Sequence, residues 1–500
     1  MTPPPEHHVA EPRKDTAEQR TWLTYTAWMQ HGLVVARELS RTRPEPVRWP
    51  ERRRSGASPE HTGASGLHAT PPMPRTAHPP RPELSIQDAL HSGWLVATGS
   101  TTHRRDPAAE PPHATPAAAA SSAGTLAELT VAVKDVIDVA GLPSRNGTPG
   151  ALWRDPVESA DAWSRLADAG ARYVGKAATH EMAWGVTTPQ IAHPLSKDHI
   201  TGGSSGGSAA CVAAGVAKAG LGTDTGGSVR IPAALCGVVG FRPTTGSVDM
   251  AGITPLAPEQ DVVGPMAADV ATCTTVLEFL LDRPLHPSEP PATASRGMRI
   301  GILARPGRLE PAVGSAFLDT VESLREAGVE IIECDTVLTR RAGSISLLTM
   351  LRSSARLFSQ TVQENPAGFS GEARALLTVG DAITEQDAAV LRQGRDTLVA
   401  RTARLFTENR LDAFLTPTTP CTAPPRFAEE VEIAHRSEPV SAALTRFTAW
   451  ASATAMPAVS IPVNAPGLPV GVQVMAPPGH EETCVRLAFT IEEHTRRKAT

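Results

Sequence analysis

The sequence predicts an α/β protein, a single large domain with a mixed, mostly parallel central sheet covered by helices on both faces. Two observations carry this expectation. Short β-branched runs alternate with stretches of helical periodicity, first over residues 129–133, 159–167 and 172–174 and again over 298–303, 311–324 and 329–332. Strands separated by helices in this way pair in parallel inside a covered sheet. The chain of 500 residues is also 41% hydrophobic and 20% charged, with no internal repeat, which suits a globular protein with a sizeable core.

Taken in order, residues 1–83 hold 14 of the 46 prolines and basic clusters such as Arg52-Arg53-Arg54. They are expected to form a largely disordered extension. Within it, Trp22, Leu23, Trp28, Met29, Leu33 and Val34 line one face of a short helix over 21–39, read as a surface helix rather than a partner-docking segment. The domain proper is expected over 84–496, with a catalytic core of 125–270. A short helix over 84–96 precedes a Pro/Ala/Ser loop over 103–124. The run 129–133 then reads as a buried strand ending at Lys134-Asp135, followed by the turn Gly141-Leu142-Pro143. Ser159 caps a helix carrying Ala162, Trp163, Leu166 and Ala167, Gly170 stops it, and Arg172-Tyr173-Val174 begins the next strand.

Further along, 237–240 and 262–265 are short apolar runs cut by glycine and proline, and 298–303 is a strand. Pro311 starts a helix with Val313, Phe317, Val321 and Leu324 on one face, and Gly328 ends it before the strand 329–332. Thr384 with Asp387 resembles a capping box that opens a long helix toward Phe406. The runs 411–415, 458–461 and 470–475 complete the strands.

Composition narrows the function. A formal charge of -5 from 52 acidic and 47 basic side chains gives no field for nucleic acid or an anionic membrane. The six cysteines, Cys211, Cys236, Cys273, Cys334, Cys421 and Cys484, include no Cys-x-x-Cys pair and read as reduced core residues. The N-terminus lacks the layout of a signal peptide and no run reaches the length of a membrane span, so the cytoplasm is the expected location. Only six of the 47 basic residues are lysines. In a chain that writes positive charge as Arg, a Lys at the end of an apolar strand points to a task Arg cannot perform, namely losing its proton. Lys134 is that residue.

Two loops carry the candidate chemistry. Residues 202–208 read Gly-Gly-Ser-Ser-Gly-Gly-Ser, and 222–230 read Gly-Thr-Asp-Thr-Gly-Gly-Ser-Val-Arg. Glycine doublets let backbone N–H groups approach an anion or a developing oxyanion without obstruction by Cβ. The first loop lacks the Gly-Lys-Ser/Thr ending of a phosphate cradle. The second lacks the glycine that a nucleophile elbow places two residues after serine. His180, His193 and His199 read as structural or surface residues. A serine alcohol needs a neighbouring base, and an uncharged Lys can serve; burial at a strand end disfavours the charged form of Lys134.

Lys134 and the two loops together resemble the amidase signature family. The resemblance extends over 125–493 and includes Lys134-Asp135-Val136-Ile137-Asp138, Gly175-Lys176, Ile231-Pro232-Ala233-Ala234-Leu235-Cys236-Gly237, Val263-Gly264-Pro265, Thr416-Pro417-Thr418-Thr419-Pro420 and Gly467-Leu468-Pro469-Val470-Gly471-Val472-Gln473. It implies the amidase signature fold and a Ser-cisSer-Lys triad. Ser228 would be the nucleophile, Ser204 the bridging serine after a cis peptide bond, and Lys134 the base. The N–H groups of Thr225, Gly226, Gly227 and Ser228 would form the oxyanion hole, with Ser205, Asp224 and Arg230 supporting the loops. No metal or organic cofactor is implied. The stretch 175–185 follows a family segment bordering the acyl pocket, which makes Met182 and Trp184 candidate pocket residues and suggests an apolar or aromatic acyl group. Thr187-Thr188 and His193-Pro194 fit the family pattern, while Ile191-Ala192 departs from it.

The expected partner is a small-molecule amide, and a homodimer is left open. The leading functional reading is a stand-alone amidase. One alternative is a protein like the ammonia-releasing component of a glutamine-dependent amidotransferase, supplying ammonia to a partner. The other is a non-catalytic relative with an assembly role, docking through the 22–39 helix.

Overall fold

The computed structural model describes residues 16–42, 48–50, 85–96, 125–285, 287 and 294–499. The expected loop at 103–124 and the Arg52-Arg53-Arg54 cluster lie outside the described residues. In chain order the elements are α1 (Thr16–Ser40), α2 (Ile86–His91), β1 (Leu95–Val96), β2 (Thr130–Lys134), α3 (Asp161–Asp168), β3 (Arg172–Ala177), α4 (Gly206–Ala213), β4 (Ala219–Asp224), α5 (Arg230–Cys236), β5 (Val239–Arg242), β6 (Val262–Ala267), α6 (Val270–Leu281) and β7 (Arg299–Leu303). They continue with α7 (Pro311–Glu326), β8 (Glu330–Cys334), α8 (Leu338–Glu364), α9 (Gly371–Asp381), α10 (Glu385–Asn409), β9 (Ala413–Pro417), β10 (Glu430–Glu432), β11 (Ser437–Pro439), α11 (Val440–Thr445), α12 (Thr448–Ala453), β12 (Ala458–Val463), β13 (Val470–Met475) and α13 (Glu481–Ala499).

Local chemistry sets many of the boundaries. The hydroxyls of Ser370 and Thr384 accept from the backbone three residues on, opening α9 and α10, and the Asp269 carboxylate opens α6 in the same way. Ser85 and Asp88 form a reciprocal capping box at α2. That helix is shorter than expected, because the chain turns after His91 and gives 95–96 to the sheet edge as β1.

An eleven-stranded sheet runs in the order β1-β3-β2-β4-β6-β5-β12-β13-β9-β7-β8, and β10 pairs with β11 separately. Parallel pairing occupies two blocks, β3-β2-β4 and β9-β7-β8. Between them β4, β6, β5, β12, β13 and β9 pair antiparallel, as does the β1 edge. The sheet is mixed, with fewer parallel neighbours than the strand-helix alternation suggests. The reason lies in the connections: β5 to β6 and β12 to β13 are joined without a helix, and such links permit antiparallel neighbours, whereas a parallel pair needs a crossover. Every residue of β4, β6 and β13 is buried, consistent with a sheet covered on both faces.

The largest departure from expectation concerns 16–40. This segment of the extension is a 25-residue helix, and it is not a surface helix. Met29, Leu33, Ala36 and Leu39 are buried in one cluster with Ile345, Leu348 and Leu351 of α8 and with Leu391 and Leu398 of α10. Arg37 pairs with Asp387 at 3.1 Å and Arg374 with Glu18 at 2.7 Å, pinning both ends. Its apolar face thus belongs to the core of the domain. Among the described residues no helix is long and apolar enough to cross a membrane.

Candidate active site

Strands β2 and β4 are parallel neighbours, with Val131, Ala132 and Val133 opposite Ala219, Gly220 and Leu221. Their C-terminal ends therefore emerge on the same side of the sheet, which brings Lys134 to the loop that follows Asp224. The turn leading into α4 carries Ser204 and Ser205 to the same place. Ser205 ties it down: its Oγ donates to the Thr223 carbonyl at 3.1 Å and accepts from the Thr223 N–H at 3.3 Å. The Ser205 N–H also donates to the Ser228 carbonyl at 3.2 Å, joining the two serine loops directly.

Lys134 is fully buried. Its Nζ donates to Ser204 Oγ at 2.8 Å and to Thr223 Oγ1 at 2.7 Å. Among the described residues no carboxylate touches it. Burial, opposed by the more distant Asp224 and Asp261, lowers its pKa to about 7, so a large neutral fraction exists near physiological pH. The Gly203-Ser204 peptide bond is cis. The Ser204 carbonyl accepts from the His180 N–H at 3.0 Å and from Thr188 Oγ1 at 3.3 Å.

Ser228 sits in the turn between β4 and α5, 6% exposed, and lines a cavity of about 300 Å³. The N–H groups of Thr225, Gly226, Gly227 and Ser228 have no acceptor among the described residues, so they are available to an external oxygen. Gly227 is required here on two counts: its φ is 133°, and a Cβ would lie 2.4 Å from Thr448 Oγ1.

Beneath this turn lies a charged network. The Asp224 carboxylate receives Arg230 through Nε at 3.0 Å and Nη2 at 2.9 Å, Arg242 Nη1 at 3.1 Å, and the Val229 N–H at 3.2 Å. Burial alone would raise its pKa, but the two guanidinium groups outweigh it and hold the carboxylate ionised. Arg230 also donates to the Thr448 carbonyl and to Gln473 Oε1, linking the turn to α12 and β13. Asp261 accepts from Thr225 Oγ1 at 2.6 Å and from the N–H groups of Leu256 and Ala257.

Trp184 lines the cavity. Met182 does not. The backbone takes left-handed values at Met182 and Ala183, with φ of 54° and 59°, and the Met182 side chain packs with Phe358, Phe369, Ala373 and Leu377 in a separate apolar cluster. Its candidacy as a pocket residue is corrected accordingly. His193 has a structural role: its Nε2 lies 2.8 Å from the Leu235 carbonyl, and burial lowers its pKa to about 4. Arg242, Thr448 and Asp261 carried no sequence signal of their own, whereas Thr223 lies within the 222–230 loop and Gln473 closes the 467–473 motif. Among the described residues no group of His, Cys, Asp and Glu forms a metal-binding cluster.

The family model described as Amidase matches residues 105–485. The chain is 33% identical over 425 residues to a glutamyl-tRNA(Gln) amidotransferase chain of Roseiflexus castenholzii, covering 76% of this chain and 85% of that one. It is 30% identical over 419 residues to the mandelamide hydrolase of Pseudomonas putida, covering 75% and 80%. A solved structure described as an amidase superposes with a TM-score of 0.69 at 32% identity, over 75% of this chain and 86% of that one.

Proposed function

The chain belongs to the amidase family, and from that premise we propose that it hydrolyses a linear carboxamide to carboxylate and ammonia or amine through an acyl-enzyme on Ser228. The observation that carries the reading is the buried Lys134–Ser204 hydrogen bond of 2.8 Å beside a cavity lined by Ser228. Neutral Lys134 takes a proton from Ser204 as Ser204 takes one from Ser228, and Ser228 Oγ bonds to the amide carbon. The carbonyl oxygen becomes an oxyanion held by the N–H groups of Thr225, Gly226, Gly227 and Ser228, each worth about 3 kcal/mol in such a site. As the C–N bond breaks, the proton returns through Ser204 to the leaving nitrogen. Water then repeats the sequence on the ester, releasing the acid and Ser228.

Asp224 and Arg230 hold the nucleophile turn, and Ser205 holds Ser204. That none of the six cysteines forms a disulfide supports a reducing, cytoplasmic setting. The amidotransferase relative keeps a second reading in view, ammonia release from glutamine for a partner. Purified protein assayed for ammonia release over aliphatic, aryl and amino-acid amides separates the two. Hydrolysis of simple amides without a partner supports the stand-alone enzyme, strict glutamine dependence supports the second reading, and activity retained in Ser228→Ala overturns the mechanism.

A further inference from the structure

The cavity in front of Ser228 is completed by α1, a helix outside the 105–485 family match. Tyr25 and Trp28 of α1 line it together with Trp184, Leu256, Leu347 and Met350. Tyr25 stands edge-on to Trp28 with ring centroids 5.1 Å apart, and edge-on to Trp184 at 6.4 Å. These are favourable arrangements of aromatic pairs, so the three rings form one continuous aromatic wall. The wall is held rigidly, since the opposite face of α1 is buried against α8 and α10 and its ends are pinned by ion pairs.

The chemistry of the lining restricts the occupant. Among the described residues around the cavity none is acidic. The basic residues around it are Arg446, which pairs with Glu438, together with Arg340 and His31. A substrate ammonium, such as the one glutamine carries, would lose its hydration here without a carboxylate to replace it. An aromatic group would lose water on every face and meet ring edges instead.

We infer that α1 is the specificity wall of this enzyme and that the acyl group it selects is bulky, apolar and aromatic. This rests on the amidase reading and names its substrate class. Primary carboxamides test it, because ammonia is then the constant leaving group and all selectivity lies on the acyl side. The panel is acetamide, butyramide, phenylacetamide and glutamine, with fluorophosphonate labelling of Ser228 followed in parallel. For the wild type, kcat/KM rises along the first three and glutamine is poorest.

Trp28→Ala lowers the phenylacetamide-to-acetamide ratio of kcat/KM about tenfold or more, mainly through KM, while Ser228 is still labelled. Gly343→Leu approaches from the other side. Gly343 lines the cavity from α8, and a Cβ there meets nothing within 4 Å, so the new side chain fills acyl space without disturbing the core and moves the preference toward acetamide. Leu23→Ala, on the exposed face of α1, leaves the ratio where it is. Amide hydrolysis with a preference for acetamide or glutamine, or equal loss on every amide in both cavity variants, overturns the inference and leaves the amidase reading standing. No hydrolysis and no labelling of Ser228 overturns both.

Discussion

Lys134 Nζ lies 2.8 Å from Ser204 Oγ, with both side chains fully buried and, among the described residues, no carboxylate in contact with the nitrogen. A lysine in an ion pair stays charged. This one is held by two hydroxyls, so desolvation governs its protonation and its pKa falls to about 7.

In the proposed mechanism the neutral amine is the working form, so kcat/KM should be low below pH 6, rise through about pH 7 and level above pH 8, with roughly one proton lost per active site. A pH–rate profile on a neutral amide checks it, and activity highest in acid contradicts it. Lys134→Arg, which stays charged throughout this range, removes activity at every pH.

Ser228 and Ser204 should fail differently. Ser228→Ala abolishes fluorophosphonate labelling and lowers kcat roughly 10⁴-fold or more. Ser204→Ala leaves the proposed attacking oxygen in place and removes the proposed proton bridge, so labelling should slow without vanishing and kcat should fall about 10²- to 10⁴-fold. Identical labelling rates in the wild type and Ser204→Ala would remove Ser204 from the relay.

Asp224 carries two buried guanidinium groups. Asp224→Asn leaves Arg230 and Arg242 without their counter-charge, and breaking a buried pair in this way costs about 3 to 5 kcal/mol. Denaturant unfolding should show that loss, together with reduced activity, because the Ser228 turn hangs on the same carboxylate. A change under about 1 kcal/mol would mean that the network relaxes.

All six cysteines are buried. Burial raises the thiol pKa of Cys211, Cys273 and Cys484, and pushes that of Cys421 up to about 12. The folded protein at pH 8 should therefore resist iodoacetamide at all six positions, and denaturation should expose them together. Mass spectrometry of the alkylated protein reads both states.

Much of this site can be read in the chain because its parts are local. The glycine doublets that open the two turns, the serines inside them and the lysine ending an apolar strand each sit within a few residues of the feature that positions them. The charges beneath the turn were legible only in part: Arg230 adjoins the loop, whereas Arg242 reaches Asp224 from β5, two strands away in the sheet, and Asp261 stands just before β6. Met182 shows the opposite limit. It stands two residues from Trp184, yet left-handed backbone at Met182 and Ala183 sends the two side chains into different clusters.

By itself, then, the sequence determined the alternating strands and helices, the two serine loops and the one lysine placed to lose its proton, since propensity, glycine freedom and strand burial act over short spans. Tertiary structure alone decided the antiparallel middle of the sheet and the cavity in front of Ser228. Tyr25 and Trp28 line the same cavity as Met350 only because the apolar face of α1 is buried on α8, about three hundred residues away in the chain. Burial of an amphipathic face has no range limit along the sequence, and helical periodicity shows that a face must be covered without saying by what.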